Sequence, residues 1–198
     1  ELANDVPRPW PRSVDSKVKH MTQRAVYDRY NQAEAAAALL RLRDKIRRWG
    51  VAGPQLCLAQ RIQQRLRALR ALVPPRVQAA VWSTLWNRWI TSRRMQHPNG
   101  FTPCLFGCSC ATREDAIEHY LHCPVVLDVA RRRLHLDLAP ATAGHHLLLV
   151  ADPPAGTCPR RWWTRIALLV YATYRSHNAI RQRSAVDVST AYDALQQA

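Results

Sequence analysis

Soft metal-ligating side chains are concentrated in one short segment, CLFGCSCATREDAIEHYLHC, which runs from Cys104 to Cys123. Cys104 and Cys108 flank Gly107, which permits a tight turn between them. His119 precedes Cys123 by four residues, so on a helix both side chains point from one face. Structural zinc sites take four tetrahedral ligands from Cys thiolates and His imidazoles. The spacing therefore predicts one structural zinc ion held by Cys104, Cys108, His119 and Cys123.

Two neighbouring side chains compete for places in this ligand set. Cys110 lies two residues after Cys108 and is an alternate to either member of the first cysteine pair. His122 is an alternate to His119, but adjacent helical residues point about 100° apart and His122 is adjacent to Cys123. We therefore favour His119. The alternative without a metal is a set of reduced core thiols with surface histidines. Four metal-ligating residues at turn-then-helix spacing seldom arise by chance, so we favour the metal site.

Helical periodicity and proline punctuation predict a mainly α fold, a helical domain with a small embedded CCHC turn–helix unit. The expected helices cover 13–30, 33–49, 54–72, 76–94, 112–122, a short stretch from Pro124, 162–181 and 187–197. Loops are expected at 139–146 and 152–160, with a short strand or helical turn at 147–150 between them. The expected organisation is a Pro-rich extended arm at 1–12, a basic helical region at 13–74, a region at 75–183 containing the Trp helix, the zinc unit and a closing amphipathic helix, and a C-terminal helix at 184–198.

The chain is strongly basic, with 29 Lys and Arg against 14 Asp and Glu and a formal charge of +15. Arg supplies 26 of the basic residues, and its planar fork matches phosphate. These features favour a polyanionic partner, nucleic acid above all, over a simple solubility or codon-usage effect. The predicted nucleic-acid-binding residues are Arg41, Arg43, Lys45, Arg47, Arg48, Arg61, Arg65, Arg67, Arg70, Arg93, Arg94, Arg131, Arg132, Arg133, Arg175 and Arg181.

Aromatic residues recur at helical spacing in two places. Trp82, Trp86 and Trp89 are expected on one face of the 76–94 helix, where a core stripe is favoured over a base-stacking platform. In the closing helix, Tyr171 and Tyr174 share neighbouring turns with Arg175, Asn178 and Arg181. This second pattern has two equally compatible interpretations. Either the tyrosines stack on bases while the arginines pair with phosphates, or the tyrosines pack in the core and the other side chains are solvated.

These segments together resemble a known family. Five short segments carry the resemblance: WSTLWNRWITSRR at 82–94, the cysteine pair, EDAIEHY at 114–120, Cys123-Pro124, and VYATYRSHNAIR at 170–181. Together they resemble the zinc-binding C-terminal region of non-LTR retrotransposon reverse transcriptases, especially those of protist, dinoflagellate-type retroelements. The resemblance spans residues 75–183 and implies a CCHC zinc site that helps to grip template or element RNA. Cys104, Cys108, His119 and Cys123 take the ligand positions. The chain departs from the family in its extra Cys110 and in lacking both the polymerase Y-x-D-D and a visible endonuclease carboxylate cluster.

We therefore expect a non-enzymatic, RNA-binding zinc protein that resembles a reverse-transcriptase C-terminal domain. One alternative is a structural subunit of a large ribonucleoprotein, such as a mitochondrial ribosome, that contacts rRNA and other proteins. A second alternative is a fragment of a reverse-transcriptase polyprotein. A retroelement protein or polyprotein fragment would be expected in the nucleus, and a ribonucleoprotein subunit in the mitochondrion. The N-terminus shows no secretory signal core, and the sequence contains no apolar run of about 18 residues, so neither secretion nor a membrane span is expected.

Overall fold

A computed structural model of the chain describes residues 23–95, 102–110 and 114–182, with side chains from residue 36 onward. The chain divides into two compact units, residues 1–38 and residues 39–198, and the packing described below belongs to the second. The predicted arm at 1–12, the start of the first helix at 13–22 and the C-terminal helix at 184–198 lie outside the described residues.

The described residues are mainly helical, as the periodicity predicted. The helices are α1 (Gln23–Arg48), α2 (Gln55–Leu69), α3 (Pro75–Leu85), α4 (Ile117–Tyr120), α5 (Pro124–Leu134), α6 (Pro140–Leu147) and α7 (Pro159–Gln182). The described part of the chain contains no β-strand, and its one isolated bridge pairs Pro103 with Glu114. No helix in those same ranges combines the length and apolar character needed to cross a bilayer.

Proline and glycine set the ends of several helices. Pro75, Pro124, Pro140 and Pro159 each occupy the first position of a helix, where the missing N–H has no intrahelical partner to lose. Gly50, just beyond α1, has a φ of 65°, the left-handed conformation that stops a helix at little cost for glycine. Gly50 and Pro124 therefore explain why the boundaries predicted there are confirmed, whereas the helix predicted at 54–72 is the shorter α2, with Pro54 as the residue before it.

Helix α7 is the central element of the second unit. It packs against α2, α5 and α6, and most extensively against α3. Ile166 and Leu169 are completely buried on its inner face. The predicted stripe on α2 is also confirmed, because its apolar residues at helical spacing are all buried. They are Leu58, Ile62, Leu66 and Leu69. One apolar core therefore supports both α7 and the segment that precedes α5.

The predicted helix at 76–94 is too long. Helix α3 ends at Leu85, and Asn87 has a φ of 52°, a left-handed value that takes the chain off the helical path. Trp82 and Trp86 remain stacked with ring centroids 3.9 Å apart, and Trp82 is 36% exposed. Trp89 instead enters the core, where its indole N–H donates to Oγ1 of Thr84 at 3.0 Å. The expectation of one shared Trp face is therefore wrong, and the core interpretation holds for Trp89.

Two other boundaries also differ from the prediction. The expected break between residues 30 and 33 is absent, and α1 is continuous because no Gly or Pro interrupts residues 23–48. The expected loop at 139–146 is largely helix α6, which Pro140 begins and the small residues of PATAGHHL continue. Residues 147–150 form the end of α6 and the turn after it, so the helical-turn alternative is correct there.

Candidate metal centre

Three sulfur atoms and one imidazole converge at a single point in the second unit. The ligand atoms of Cys104, Cys108, His119 and Cys123 all lie within 4.8 Å of one another, and all four residues are buried. The sulfurs of Cys104 and Cys123 are 3.9 Å apart, and Nε2 of His119 lies 3.2 Å from the sulfur of Cys108. Four ligands bound tetrahedrally at about 2.3 Å stand about 3.8 Å from one another. The cluster could therefore hold one metal ion.

A tight turn presents the first two ligands. Gly107 adopts a φ of 66°, and its N–H donates to the carbonyl of Cys104 at 3.0 Å. A side chain at this φ would be strained, which explains the glycine between the cysteines. The amide of Leu105 donates to the hydroxyl of Tyr120 at 3.3 Å and so fastens the turn to α4. This turn matches the arrangement that the Cys104–Cys108 spacing predicted.

The second pair of ligands does not share a helix. The predicted helix at 112–122 is wrong, because α4 covers only Ile117–Tyr120 and Cys123 is the residue before α5. Pro124 disfavours helical geometry at Cys123, whose ψ is 126°. The described residues directly before α4 are not helical, and the residue that caps α4, Ala116, has an extended conformation. His119 and Cys123 therefore converge through a turn between two helices.

Cys110 approaches the cluster from its edge. Its sulfur is 3.0 Å from that of Cys108 and 3.7 Å from Nδ1 of His119, and the residue is half-buried. It is not among the four residues whose ligand atoms all lie within 4.8 Å of one another. The structure thus places Cys110 beside Cys108, as a neighbour of the four-ligand set.

His122 is not one of the four clustered residues. Its Nδ1 lies 2.8 Å from the carbonyl oxygen of Pro140, to which the protonated ring nitrogen donates. The other edge of the ring lies against Gly144 of α6. The structure therefore brings His119, and not His122, to the three cysteines.

Hydrogen bonding and burial both disfavour the thiolate forms of Cys104 and Cys108. The shared hydrogen bond with Cys123, together with burial, raises the pKa of Cys104 to about 12. Burial and the neighbouring thiol of Cys110 raise the pKa of Cys108 to about 12. Because metal ligands must be deprotonated, a bound cation has to displace these protons. Protons and a metal ion therefore compete for the same sulfur atoms, and the fraction of chains that bind a metal ion should fall as the pH falls.

Asp115 is the centre of a buried polar network beside the cluster. Its Oδ2 accepts from the amide and hydroxyl of Ser92, both at 2.7 Å, and from Arg181 at 3.0 Å. Its Oδ1 accepts from the Tyr120 hydroxyl at 2.7 Å and lies 3.0 Å from Nε2 of His177. Burial opposes ionisation of Asp115, but the hydrogen bonds led by His177 and Ser92 outweigh it and lower its pKa to about 2.

Sequence reasoning missed this network. It placed Asp115 in the first turn of a helix, and it assigned no role to His177 or Ser92. The available signal is the apolar pair Ala116–Ile117 directly after Asp115, which is typical of a buried segment. A carboxylate at the start of a buried segment requires partners.

Tyr120 joins the network to the metal-ligand cluster. Its hydroxyl accepts from the amide of Leu105, next to Cys104, and donates to Asp115. Burial and the adjacent Asp115 carboxylate raise the pKa of Tyr120, which keeps the hydroxyl protonated as a donor. Because Tyr120 follows His119 directly, one side chain holds both halves of the ligand set in register.

Two of the predicted nucleic-acid-binding arginines are used inside the fold. Arg65 donates to the carbonyls of three consecutive residues, 149–151, pairs with Asp152, and lies 4.3 Å from the ring centroid of Trp163. Arg181 donates to Ser92 and Asp115. The structure therefore gives Arg65 and Arg181 a role in packing, which the one-dimensional charge pattern could not distinguish from surface charge.

The other predicted basic residues differ in whether an acid neutralises them. Arg43 pairs with Asp44, Arg61 with Asp152, Arg93 with Glu114, and Arg131 and Arg132 with Asp128. Arg133 is exposed on the last turn of α5. Several basic side chains have no described acidic residue within 4.0 Å: Arg41, Lys45, Arg47, Arg48, Arg67, Arg70, Arg94 and Arg175.

The chain was compared with protein-family models, with curated proteins and with solved structures, and none of these comparisons gave a match.

Proposed function

We propose that this protein is a non-catalytic RNA-binding protein whose fold includes one structural zinc ion. The observation that carries the proposal is the convergence of Cys104, Cys108, His119 and Cys123 within a strongly basic helical chain. The metal would hold the small unit around α4, and the arginine-rich surface would hold the RNA.

The donor set supports zinc as the metal. Three sulfurs and one imidazole nitrogen form a soft, four-membered set of the kind that structural zinc sites use. The set already has the four protein ligands of a closed tetrahedral site, whereas catalytic zinc sites keep three and leave the fourth position to water. These features favour a structural ion over a catalytic one.

The charge distribution supports RNA as the partner. Most predicted contact residues are exposed, and several have no described acidic partner, so their guanidinium groups are available to phosphate. The resemblance of 82–94, the ligand segment and 170–181 to the C-terminal region of non-LTR reverse transcriptases supports RNA over other polyanions. Phosphate and shape contacts would dominate such binding.

The buried Ser92, His177 and Asp115 do not form a hydrolytic triad, which supports the non-catalytic part of the proposal. The hydroxyl of Ser92 donates to Asp115, whereas a nucleophilic serine donates to the histidine. His177 and Asp115 are completely buried, and Ser92 is also buried, so a substrate cannot reach them. Their arrangement is that of a structural hydrogen-bond network.

Two measurements on the purified, reduced chain test the proposal. Native mass spectrometry should find one zinc ion per chain, and a metal-free protein with intact fold would overturn the zinc assignment. In a salt titration, log affinity for RNA should fall linearly with log salt, with a slope of about 0.7 to 0.9 for each phosphate contacted. A slope near zero, or no binding at low salt, would overturn the RNA assignment.

A further inference from the structure

Two arginine side chains from different helices lie over the ring of Tyr171. The guanidinium carbons of Arg76, in α3, and Arg175, in α7, are each 6.0 Å from the ring centroid. Nη1 of Arg175 also lies 3.5 Å from the Tyr171 hydroxyl oxygen. Both arginines are exposed and Tyr171 is half-exposed. We call these three residues the tyrosine–arginine patch; they are brought together only where α3 packs on α7.

The charges of the patch are not neutralised within the described part of the chain. No acidic residue there lies within 4.0 Å of Arg76 or Arg175, in contrast to Arg43, Arg61 and Arg131. Leu168, one turn before Tyr171 on α7, is 36% exposed and extends the apolar surface beside the ring. The patch therefore offers two unpaired cations, one aromatic ring and an adjoining apolar side chain.

We propose that the tyrosine–arginine patch binds one unpaired nucleotide of single-stranded RNA, an inference that rests on the proposed RNA-binding function. The base stacks on Tyr171 beside Leu168, and Arg76 and Arg175 donate to the phosphates on either side. Aromatic rings bind bases by stacking, and arginine forks bind phosphate oxygens with paired donors. In the complex the two guanidinium groups move from the ring to the flanking phosphates, and the base takes their place against Tyr171.

The combination of groups favours an unpaired nucleotide over two other occupants. Duplex RNA presents phosphates, but its bases are stacked inside the helix and cannot reach the ring. An acidic protein surface would satisfy the arginines and leave the aromatic ring unused. Only a splayed base with its flanking phosphates uses Tyr171, Arg76 and Arg175 together.

The test measures the affinity of the full chain, loaded with zinc, for a fluorescein-labelled unstructured RNA and for a hairpin duplex of equal charge. Tyr171→Leu keeps an apolar side chain against the core and should weaken single-strand binding about tenfold, with duplex binding unchanged. Tyr171→Phe keeps the ring and should bind within about twofold of wild type. Arg76→Gln with Arg175→Gln should lower the salt slope by about 1.4, or about 0.7 for each arginine.

Arg161→Gln is the matched charge control, because Arg161 is exposed on the same helix about 15 Å from Tyr171 along its axis. It should leave the preference for single strands unchanged. If wild type binds RNA with the expected salt dependence but Tyr171→Leu binds both RNAs normally, the patch inference is wrong and the RNA-binding function stands. An equal loss for single strand and duplex, or tighter binding to an acidic peptide than to RNA, would also overturn it. If wild type binds no RNA, both proposals fail together.

Discussion

Asp115 and His177 are both completely buried, and Oδ1 of Asp115 lies 3.0 Å from Nε2 of His177. The contact ties the segment just before α4 to the last turns of α7. A buried carboxylate is tolerable only when its lone pairs are hydrogen-bonded, and Asp115 accepts from four different side chains, including Arg181. This network, with the metal-ligand cluster, fixes where the chain around α4 sits on the helical core.

Asp115→Asn should therefore destabilise the protein by about 3 to 5 kcal/mol. An amide offers one acceptor oxygen and turns an NH₂ group toward donors such as the amide of Ser92 and the guanidinium of Arg181. Urea unfolding of the zinc-loaded protein measures the loss. Asp44→Asn makes the same chemical change in an exposed ion pair and should cost less than about 1 kcal/mol. Equal costs at the two positions would contradict a structural role for the network.

The same residue should give stability a specific pH dependence. The pKa of Asp115 is lowered from 3.8 to about 2, so its carboxylate stabilises the fold above the unfolded-state pKa. That contribution, about 2 kcal/mol near neutrality, is lost as the pH falls from about 4 through about 2. The stability difference between wild type and Asp115→Asn should therefore shrink by about 1 kcal/mol between about pH 6 and about pH 3.

Urea titrations of both proteins across that range provide the measurement. Both proteins keep the four residues of the cluster, and their metal content is measured at each pH so that any difference in acid release of a metal is recognised. A difference that stays constant with pH would mean that the Asp115 carboxylate is not preferentially stabilised in the folded state.

The metal-ligand cluster was predictable because its signal is local. A Cys pair around Gly107, followed by His119 and Cys123, is a pattern of residue type and spacing, and it predicted which four side chains converge even though the helix drawn through His119 and Cys123 was wrong. The α2 stripe was predictable for the same reason. Asp115 and His177 are 62 positions apart, and no local pattern pairs them. Likewise, the left-handed conformation of Asn87, after which Trp89 enters the core, cannot be predicted from hydrophobic periodicity.

Substitution of single cysteines should separate the ligands from their neighbour. Cys123→Ser replaces a completely buried ligand and should abolish stoichiometric zinc binding and lower the melting temperature, since metal binding and folding are coupled. Cys110→Ser should retain one zinc ion, because Cys110 lies outside the four-ligand set. Native mass spectrometry and thermal unfolding measure the two effects. Cys57→Ser, at an exposed position on α2, is the control. If Cys110→Ser loses zinc and Cys123→Ser retains it, the ligand set includes Cys110 in place of Cys123.

Arg65→Lys should destabilise the protein by about 2 kcal/mol although it preserves the charge. Nη1 of Arg65 contacts the carbonyls of residues 149–151, its Nη2 pairs with Asp152, and its planar guanidinium lies over the buried Trp163. A single ammonium group cannot make the carbonyl contacts, the ion pair and the stacking contact at the same time. Burial also lowers the pKa of Arg65, in keeping with its partly desolvated position. Arg67→Lys, at an exposed position on the same helix, should leave the unfolding free energy within about 0.5 kcal/mol of wild type. A matching effect at Arg67 would show that the inward contacts of Arg65 contribute little.

Gly144 and His122 should show strong energetic coupling. A Cβ at Gly144 would lie 2.9 Å from Cε1 and 3.1 Å from Nε2 of His122, too close for ordinary contact. Gly144→Ala alone therefore forces the His122 ring away from the carbonyl of Pro140 and should cost about 1 kcal/mol.

In a His122→Ala background the obstruction is gone, and the nearest remaining atom, Cβ of Leu121, is at an ordinary 3.7 Å. Because Gly144 lies inside α6, the higher helix propensity of alanine should then stabilise the protein by about 0.5 to 1 kcal/mol. A double-mutant cycle measured by urea unfolding should thus give a coupling of about 1.5 to 2 kcal/mol. A coupling near zero would mean that His122 does not rest against α6, and His122 would then regain its place as an alternate to His119.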